Sequence, residues 1–376
     1  MSNRKTPSSI GENAARPLRI AIITDAAPPQ VNGVVRTLGQ LRKELERLGH
    51  DVLFITPGDF HTIPLPTYPE IRLALFPGRG IARRLDRFQP DAIHIATEGP
   101  LGLSARRYCR RHDMPFSTSF HTRFAEYLHA RTGIPPSWGY RFLRWFHKPA
   151  TTLMVATPSL RDELMGRGFQ RAALWSRGVD TELFQPRPEL LEDHFLGLAR
   201  PVWLYVGRIA VEKNIDAFLA LDLPGTKLVV GEGPRLELLK KRHPNAHFAG
   251  PLFGEQLARA YAAADCFVFP SKTDTFGLVL IEALACGTPV AAFPVQGPLD
   301  VVAHAPVGCL HDDLATACQK ALNADRGTCR DYALGFSWVA CARQFLTNLA
   351  LGHAAAPDIA AMPDPQPADR AGLLVD

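Results

Sequence analysis

Residues 266–289 read CFVFPSKTDTFGLVLIEALACGTP and contain a strand, a polar turn and a helix in immediate succession. The opening run, residues 266–269, is apolar at every position, which is typical of a parallel strand covered on both faces. Pro270 ends this strand, and Gly287 stands where a helix typically ends. A strand followed at once by a helix is the unit from which doubly wound parallel sheets are built.

The same alternation of apolar runs and amphipathic segments covers most of the chain. Strands are predicted at 18–24, 52–56, 71–76, 92–96, 116–120 and 153–156, and again at 202–206, 228–230, 247–249, 266–269 and 290–293. The sequence therefore predicts an α/β protein with two doubly wound, Rossmann-like domains facing each other across a cleft. The predicted segments are a flexible leader (1–17), a first domain (18–183), a linker (184–200), a second domain (201–335), a helix packing back toward the first domain (336–351) and a disordered tail (352–376).

Composition and cysteine usage indicate a protein of a reducing compartment. The 376 residues include seven cysteines, an odd number without a C-x-x-C pair, and several stand in apolar runs. Buried free thiols explain this better than a disulfide or zinc framework. The first residues have no apolar run of signal-peptide length, and no uninterrupted apolar run reaches transmembrane length. We therefore expect a cytoplasmic protein.

The positive charge is concentrated in one stretch. Residues 101–150 hold nine Lys or Arg against Asp113 and Glu126, a local net charge of +7, whereas the whole chain carries +5. Such a patch attracts an anionic surface within about 8–10 Å. Within it, a predicted helix combines aromatic and basic residues, which suits the inner face of the cytoplasmic membrane. The alternative is a core-packed helix with a solvated basic flank. The residues concerned are Trp138, Arg141, Phe142, Arg144, Trp145 and Lys148.

Asp274 and Glu282 are the acidic candidates for a ligand site. Asp274 lies in the turn after the strand, where it can accept hydroxyls of a sugar. Glu282 lies inside the apolar helix, where an unpaired carboxylate costs several kcal/mol, and it can accept both hydroxyls of a ribose. Free N–H groups at the helix start form an anion site suited to a diphosphate, at Phe276, Gly277 and Leu278. The alternative makes Asp274 a turn residue and Glu282 a solvated one.

Arg208 and Lys213 are the basic candidates. Both follow the predicted strand 202–206, in the segment GRIAVEK. Two cations across a strand-to-helix turn can converge on one diphosphate. The alternative is that they are two unrelated surface bases.

These segments resemble retaining glycosyltransferases of family 4, which have the two-domain GT-B fold. The acidic-x-Phe-Gly-x-x-x-x-Glu signature spans Asp274 to Glu282, with Asp where the family usually has Glu. The Gly-Arg…Lys element matches residues 207–213. GDP-mannose-dependent α-mannosyltransferases and glycolipid-forming members are the most similar groups, over roughly residues 18–350.

The resemblance also implies roles for residues outside the two main segments. His121 corresponds to a histidine that contacts the transferred sugar, and Arg123 stands where relatives often have Asp or Asn, which predicts a part in acceptor binding. The loop containing Gly33 contacts donor phosphate and acceptor. The turn at Gly231 lies near the nucleotide, and Leu252 belongs to the part that contacts the base.

The activity implied is transfer of a hexose, with mannose favoured, to a lipid or glycan hydroxyl with retention of anomeric configuration. His121, Arg208, Lys213 and Asp274 are the expected catalytic residues. The resemblance implies neither a cofactor nor a metal. Alternatives are a UDP-glucose or related UDP-sugar donor, a nucleotide-sugar epimerase or phosphorylase on the same fold, and a non-catalytic sugar-nucleotide binder. Nucleic-acid binding by the basic stretch is not expected, because no recognised motif accompanies it.

Overall fold

The computed structural model describes residues 16–30, 32–65, 68–121, 123–126, 133, 135–192 and 197–350. Most of the predicted leader (1–17) and the predicted tail (352–376) lie outside these residues. The strands, in chain order, are β1 (Arg19–Ile23), β2 (Asp51–Ile55), β3 (Thr62–Leu65), β4 (Tyr68–Ala74), β5 (Ala92–Ile95), β6 (Ser117–Phe120), β7 (Thr152–Val155), β8 (Ala172–Leu174), β9 (Val202–Val206), β10 (Thr226–Val230), β11 (His247–Gly250), β12 (Cys266–Phe269), β13 (Val290–Ala292) and β14 (Gly308–Leu310).

Helices connect most of these strands. Asn32 caps the first of them, because its side chain accepts hydrogen bonds from the backbone N–H groups of Val34 and Val35. The helices are α1 (Gly33–Arg47), α2 (Gly78–Phe88), α3 (Pro100–Arg111), α4 (Pro136–His147), α5 (Pro158–Gly166), α6 (Glu189–Glu192), α7 (Ile215–Leu219), α8 (Leu236–Arg242), α9 (Gly254–Ala263), α10 (Leu278–Ala285), α11 (Gln296–Val302), α12 (Leu314–Ala321), α13 (Arg326–Leu334) and α14 (Trp338–Thr347).

The strands form two six-stranded parallel sheets, so the predicted fold class is confirmed. The first sheet has the order β2-β1-β5-β6-β7-β8, and the second has the order β11-β10-β9-β12-β13-β14. Helices cover both faces of each sheet. In β1, Ile20 and Ile22 pack with α1 and α14, whereas Ala21 and Ile23 pack with α2 and α3. Fully burying each such isoleucine contributes about 1.5–3 kcal/mol to folding.

The predicted strand at 71–76 belongs to neither parallel sheet. It lies in β4, which pairs antiparallel with β3 in a separate two-stranded hairpin. Leu75 and Phe76 follow the strand and are exposed, Phe76 at 96%. Three short strands, β3, β8 and β14, were not predicted from the sequence. Pro64 interrupts β3, and β8 and β14 contain no β-branched or aromatic residue, the types that mark a strand.

Residues after the first sheet hold the two domains together. The segment predicted as a linker contains α6, and its residues Phe184 and Leu190 are buried in the core of the second domain. Helix α14 packs against the first domain, where Phe345 contacts the ring of Trp175 at a centroid distance of 5.2 Å. Gln344 also accepts a hydrogen bond of 2.8 Å from the backbone N–H of Ser176.

The strand orders fix where a ligand is expected. In a doubly wound sheet, ligands bind beyond the carboxyl ends of the strands, at the point where the strand order reverses. That point lies between β1 and β5 in the first sheet and between β9 and β12 in the second. The loops after β9 and β12 contain residues 207–214 and 270–277, which include three of the four residues predicted to be catalytic.

Candidate active site

Lys213 and Asp274 meet at the reversal point of the second sheet. The Nζ atom of Lys213 lies 2.5 Å from Oδ1 of Asp274. Lys213 ends a short 3₁₀ turn after β9, and Asp274 lies in the loop after β12, so adjacent strands bring the two residues together. Both side chains are largely buried, which strengthens their electrostatic attraction relative to a surface pair.

One oxygen of Asp274 is unsatisfied. Its Oδ2 atom is buried and accepts no hydrogen bond from the described residues. Burial and the charge of Asp274 raise the pKa of the neighbouring Tyr205 well above its usual value. Tyr205 therefore stays protonated, and its hydroxyl donates to the backbone carbonyl of Arg208 at 2.9 Å. A buried acceptor without a donor is costly, so a bound hydroxyl group at Oδ2 would stabilise the site.

Arg208 forms an ion pair that the sequence did not predict. Its guanidinium pairs with Glu70, which lies on β4 of the hairpin in the first domain. Both side chains are about one-third exposed or less. The two predicted cations thus follow the same strand and face different carboxylates, one from each domain.

The start of α10 faces the first domain. Gly277 precedes the helix at a φ of +85°, a left-handed conformation that favours glycine. Across the cleft, a Cβ atom built on Gly33 would lie 3.8 Å from Cδ1 of Leu278. The predicted glycine loop and the predicted anion site therefore lie opposite each other. The free N–H groups of this helix start are the kind that bind phosphate.

The remaining donor-site candidates differ in their surroundings. Gly231 has a φ of +139°, and a Cβ atom there would lie 2.0 Å from the carbonyl oxygen of Gly207, so the turn requires glycine. The side chain of Leu252 is partly buried against the hydrophobic core of the second domain. The side chain of Phe276 is buried and packs edge-on against Phe336, with centroids 6.2 Å apart. The Phe276 ring is therefore a core residue, and only its backbone can contact a ligand.

Glu282 lies at the contact between the domains. It is 6% exposed, its Oε1 lies 2.9 Å from Nη1 of Arg36 on α1, and its Oε2 accepts a 3.0 Å hydrogen bond from Tyr261. Burial raises the pKa of Glu282, while Arg36 and Tyr261 oppose the rise. The interpretation of Glu282 as a solvated helix residue is therefore wrong. Each carboxylate oxygen keeps a lone-pair direction that these contacts do not use.

His121 follows β6, and both domains contact it. Its ring nitrogens contact Ser119 Oγ at 2.8 Å and Nη2 of Arg177 at 3.3 Å. Its backbone carbonyl accepts a 2.9 Å hydrogen bond from the hydroxyl of Thr275, next to Asp274. Burial and the charge of Arg177 hold the pKa of His121 well below its usual value. His121 is therefore a neutral residue beside the turn that contains Asp274.

Arg123 bridges elements of both domains. Its guanidinium lies 2.5 Å from Glu163 of α5, and it also donates to the side chain of Gln296 at the start of α11. These contacts hold the loop after β6 against the second domain. Any acceptor bound by Arg123 would share the guanidinium with these two partners.

The aromatic and basic residues of α4 divide between surface and core. Trp138 is 73% exposed and Trp145 is 50% exposed, whereas Phe142 is partly buried. Arg141 and Lys148 are exposed, and Arg144 is partly buried. The predicted helix thus presents two tryptophans beside cations, although its opposite face packs in the core.

Two neighbouring helices extend this basic surface. Arg106 of α3 lies over the ring of Trp145 at 4.0 Å, which joins α3 to α4. Tyr108 of α3 donates to Asp86 of α2 at 2.5 Å. We call this surface the basic face. Its exposed cations are Arg79, Arg83 and Arg87 on α2, Arg107, Arg110 and Arg111 on α3, Arg141 on α4 and Lys148 directly after α4.

The described residues contain neither a membrane-spanning helix nor a cluster of metal-ligating side chains. None of their helices combines the length and the apolar character needed to cross a bilayer. Within the same residues, no group of three or more His, Cys, Asp or Glu side chains is arranged to hold a metal ion.

Family comparisons agree with the two-domain architecture. A model of glycosyltransferase family 4 matches residues 31–183, and a model of glycosyl transferases group 1 matches residues 200–324. The first match covers most of the first domain, and the second covers the second sheet together with the loops that contain Arg208, Lys213 and Asp274.

Individual relatives cover most of the chain. A GDP-mannose-dependent alpha-mannosyltransferase of Mycobacterium tuberculosis is 30% identical over 318 residues, which are 78% of this chain and 83% of the relative. An alpha-monoglucosyldiacylglycerol synthase of Streptococcus pneumoniae is 30% identical over 348 residues, 82% of this chain and 79% of the relative. The solved sucrose-phosphate synthase of Thermosynechococcus elongatus superposes with a TM-score of 0.72 at 24% identity, covering 87% and 97% of the two chains. That likeness shows the fold.

Proposed function

This chain belongs to glycosyltransferase family 4, and we propose that it transfers mannose from GDP-mannose to a hydroxyl group of a lipid or glycan. The transfer proceeds with retention of the anomeric configuration. The alternative donor is UDP-glucose or a related UDP-sugar. The ion pair of Lys213 with Asp274, at the reversal point of the second sheet, is the observation that carries the proposal.

The donor diphosphate is bound by cations and by a helix start. Arg208 and Lys213 follow β9, and the N–H groups at the start of α10 lie in the loop that also contains Asp274. Positive charge placed where a leaving group becomes negative lowers the barrier to its departure. We assign the leaving-group stabilisation to these groups, without a metal ion. Activity is therefore expected to persist in EDTA.

Asp274 and Glu282 bind hydroxyl groups at the two ends of the donor. The unsatisfied Oδ2 of Asp274 accepts from the transferred sugar, since a buried carboxylate oxygen requires a donor. The remaining lone pairs of Glu282 accept from the ribose. Because Lys213 neutralises Asp274, this carboxylate is suited to binding a hydroxyl and not to attacking the anomeric carbon.

The proposed reaction is a front-face displacement. The acceptor oxygen forms a bond to the anomeric carbon on the side from which the diphosphate departs, and the bond between that carbon and the phosphate oxygen breaks. The departing phosphate oxygen takes the proton of the acceptor hydroxyl. No covalent sugar–enzyme intermediate is needed. The two domains exclude water from the cleft, which protects the glycosyl cation from hydrolysis.

A donor screen tests the proposed sugar nucleotide. The melting temperature is measured with GDP-mannose, UDP-glucose, GDP and UDP at equal concentration. A ligand at about 100 times its Kd stabilises by about 2.7 kcal/mol, so GDP-mannose should raise the melting temperature by several degrees. If UDP-glucose stabilised the protein and GDP-mannose did not, the donor would be UDP-glucose or a related UDP-sugar. Transfer of labelled sugar to a lipid extract, followed by analysis of the product anomer, tests acceptor class and retention.

The basic face makes contact with anionic lipid at the inner surface of the cytoplasmic membrane. Cations on α2, α3 and α4 attract phosphate headgroups, and Arg79, Arg83 and Arg87 follow one side of α2 at four-residue spacing. Exposed Trp138 and Trp145 suit the headgroup region, where an aromatic ring with a polar N–H is favoured. This position would bring a lipid acceptor to the enzyme.

Binding to vesicles is expected to depend on α4. Trp138→Ala combined with Arg141→Ser and Lys148→Ser removes one exposed ring and two cations. At about 1 kcal/mol per cation, affinity for vesicles with 30% anionic lipid should fall by about 30-fold, as measured by co-sedimentation. Lys240→Ser with Lys241→Ser, which removes two exposed cations of the second domain, is the matched control. Equal binding by both variants would place the membrane contact elsewhere.

Glu70 is expected to compete with the donor for Arg208. Glu70→Gln keeps the shape of the side chain and removes the charge that pairs with the guanidinium. Partly exposed pairs contribute about 0.2–1 kcal/mol, so the donor KM should fall by up to about fivefold with kcat little changed. Steady-state kinetics at two salt concentrations measure the effect, which should shrink at high salt. A rise in KM would instead make Glu70 a donor-binding residue.

A further inference from the structure

A chain of buried polar side chains lies behind His121. It runs from Arg177, after β8, through His121 and Ser119 to His94 on β5 and Ser117 on β6. All but His121 are buried, with 4% exposure at most. The successive contacts are Arg177 Nη2 to His121 Nδ1 (3.3 Å), His121 Nε2 to Ser119 Oγ (2.8 Å), Ser119 Oγ to His94 Nε2 (3.1 Å) and His94 Nδ1 to Ser117 Oγ (2.9 Å).

Arg177 sets the direction of both hydrogen bonds made by the His121 ring. A guanidinium only donates, so Nδ1 of His121 must accept and carries no proton. The proton of the neutral ring is then on Nε2, which donates to Ser119. The Ser119 hydroxyl can then donate to the Ala96 carbonyl at 3.4 Å or to Nε2 of His94 at 3.1 Å.

The surroundings keep both histidines neutral. Burial and the charge of Arg177 lower the pKa of His94 to about 3 and hold that of His121 well below its usual value. Among the described residues, the charged or titratable groups that affect the pKa of His121 are Arg177, from the turn after β8, and His94, from β5. Arg177 itself stacks on Trp175 at 4.4 Å and donates to the carbonyls of Trp175 and Ser176.

The last helix supports this arrangement. Phe345 of α14 packs against both Trp175 and His94, with centroid distances of 5.2 Å and 4.9 Å. Gln344 and Cys341 bond the backbone of Ser176, the residue before Arg177. Helix α14 thus holds the turn from which Arg177 contacts His121.

We propose that Arg177 is a positioning residue that fixes His121 as the neutral tautomer with its proton on Nε2. This inference rests on the proposed glycosyl transfer and on the place beside the transferred sugar that the family resemblance implies for His121. With both nitrogens engaged inside the protein, His121 neither takes nor gives a proton during transfer. Its ring edge and its backbone carbonyl, which accepts from Thr275, face the transferred sugar in a fixed orientation. The proton of the acceptor hydroxyl goes to the departing phosphate.

The tautomer is tested directly by NMR of protein labelled with ¹⁵N-histidine, with His121→Asn identifying the signal. Between pH 5.5 and 8 the wild type should show Nε2 protonated and Nδ1 not. In Arg177→Met, which removes the donor and keeps the side-chain volume, the signal should change to mixed or pH-dependent protonation. A wild-type His121 protonated on Nδ1, or an unchanged tautomer in Arg177→Met, overturns the proposal.

Kinetics add a readout that separates positioning from folding. Arg177→Met should lower kcat by about 10- to 100-fold while the donor KM stays within about twofold, because Arg208, Lys213 and Glu282, which are proposed to bind the donor nucleotide, are in the other domain. Arg177→Lys, which retains a donor and a charge, should recover part of kcat. A change in the donor KM alone would contradict the proposal.

Ser119→Ala keeps the test valid if Arg177→Met does not fold. It removes the acceptor of the Nε2 proton but leaves Arg177, so the tautomer should remain and kcat should fall less than in Arg177→Met. Loss of the Nε2 tautomer in Ser119→Ala would show that Arg177 does not set it. Because the NMR result does not depend on the sugar nucleotide, a failure of the GDP-mannose proposal is recognised separately by the donor screen.

Discussion

Replacing Arg208 and Lys213 together by alanine should reduce sugar transfer to the background rate. Both side chains follow β9 and are proposed to stabilise the diphosphate as it departs. Removal of one preorganised contact to a developing negative charge costs about 10²–10³ in rate. The combined decrease in rate from two such losses is larger than an ordinary transfer assay can measure. Donor affinity should fall as well, because the same charges bind the ground-state diphosphate.

The two substitutions are expected to differ in their effect on folding. Arg208→Ala leaves Glu70 partly exposed, so little stability is lost. Lys213→Ala leaves the mostly buried Asp274 without its cation, and Oδ2 of that residue has no donor among the described residues. We expect a loss of about 1–3 kcal/mol, visible in thermal unfolding. Circular dichroism at 25 °C should still show the folded protein.

The matched control is Lys240→Ala with Lys241→Ala, on the last turn of α8. It removes the same number of charges from the same domain, but from exposed positions. Its transfer rate should match that of the wild type. If the Arg208→Ala/Lys213→Ala protein retained full activity, the assignment of the diphosphate site would be wrong.

The sequence was sufficient to predict that three polar candidates lie at one edge of the second sheet. Arg208, Lys213 and Asp274 were predicted because each follows an apolar run, and parallel strands end at the same edge of a sheet. The helix after Gly277 was recognisable because it is apolar and ends at a glycine. Both predictions use only short stretches of sequence and the general geometry of doubly wound sheets. They do not require knowledge of contacts between residues far apart in the sequence.

The partners of these residues could not be predicted. Glu70 and Arg36 lie in the first domain, and their pairing with Arg208 and Glu282 depends on how the two domains meet, which no local pattern specifies. Arg177 was missed for a different reason. It follows β8, whose sequence Ala-Ala-Leu has no β-branched or aromatic residue, so no strand was predicted there and the residues after it were not considered.

Glu282→Ala should lower kcat/KM for the donor by about 100-fold or more. The proposed role of Glu282 is to accept two ribose hydroxyls, and hydrogen bonds to a charged group contribute about 1.5–3 kcal/mol each. The protein should also lose stability, because Arg36 and the buried hydroxyl of Tyr261 lose their partner. Donor kinetics and thermal unfolding measure the two effects independently.

Glu282→Gln separates binding from packing. It keeps the volume of the side chain and one acceptor oxygen, so stability should be closer to that of the wild type than in Glu282→Ala. One ribose contact and the negative charge are lost, and the donor KM should rise by at least about tenfold. An unchanged donor KM in both variants would make Glu282 a structural residue only.

Arg36→Met breaks the same ion pair from the other side and leaves the carboxylate in place. Arg36 lowers the pKa of Glu282, against the larger effect of burial, so its removal should raise that pKa further. A protonated Glu282 accepts hydroxyls poorly. The donor KM of Arg36→Met should therefore be high at acid pH and fall as rising pH ionises Glu282, more steeply than in the wild type. Arg36→Met combined with Glu282→Gln should lose this pH dependence, because the titrating group is absent. If Arg36→Met showed the same weak, pH-independent donor binding as Glu282→Ala, the ion pair and not the carboxylate would be what the donor requires.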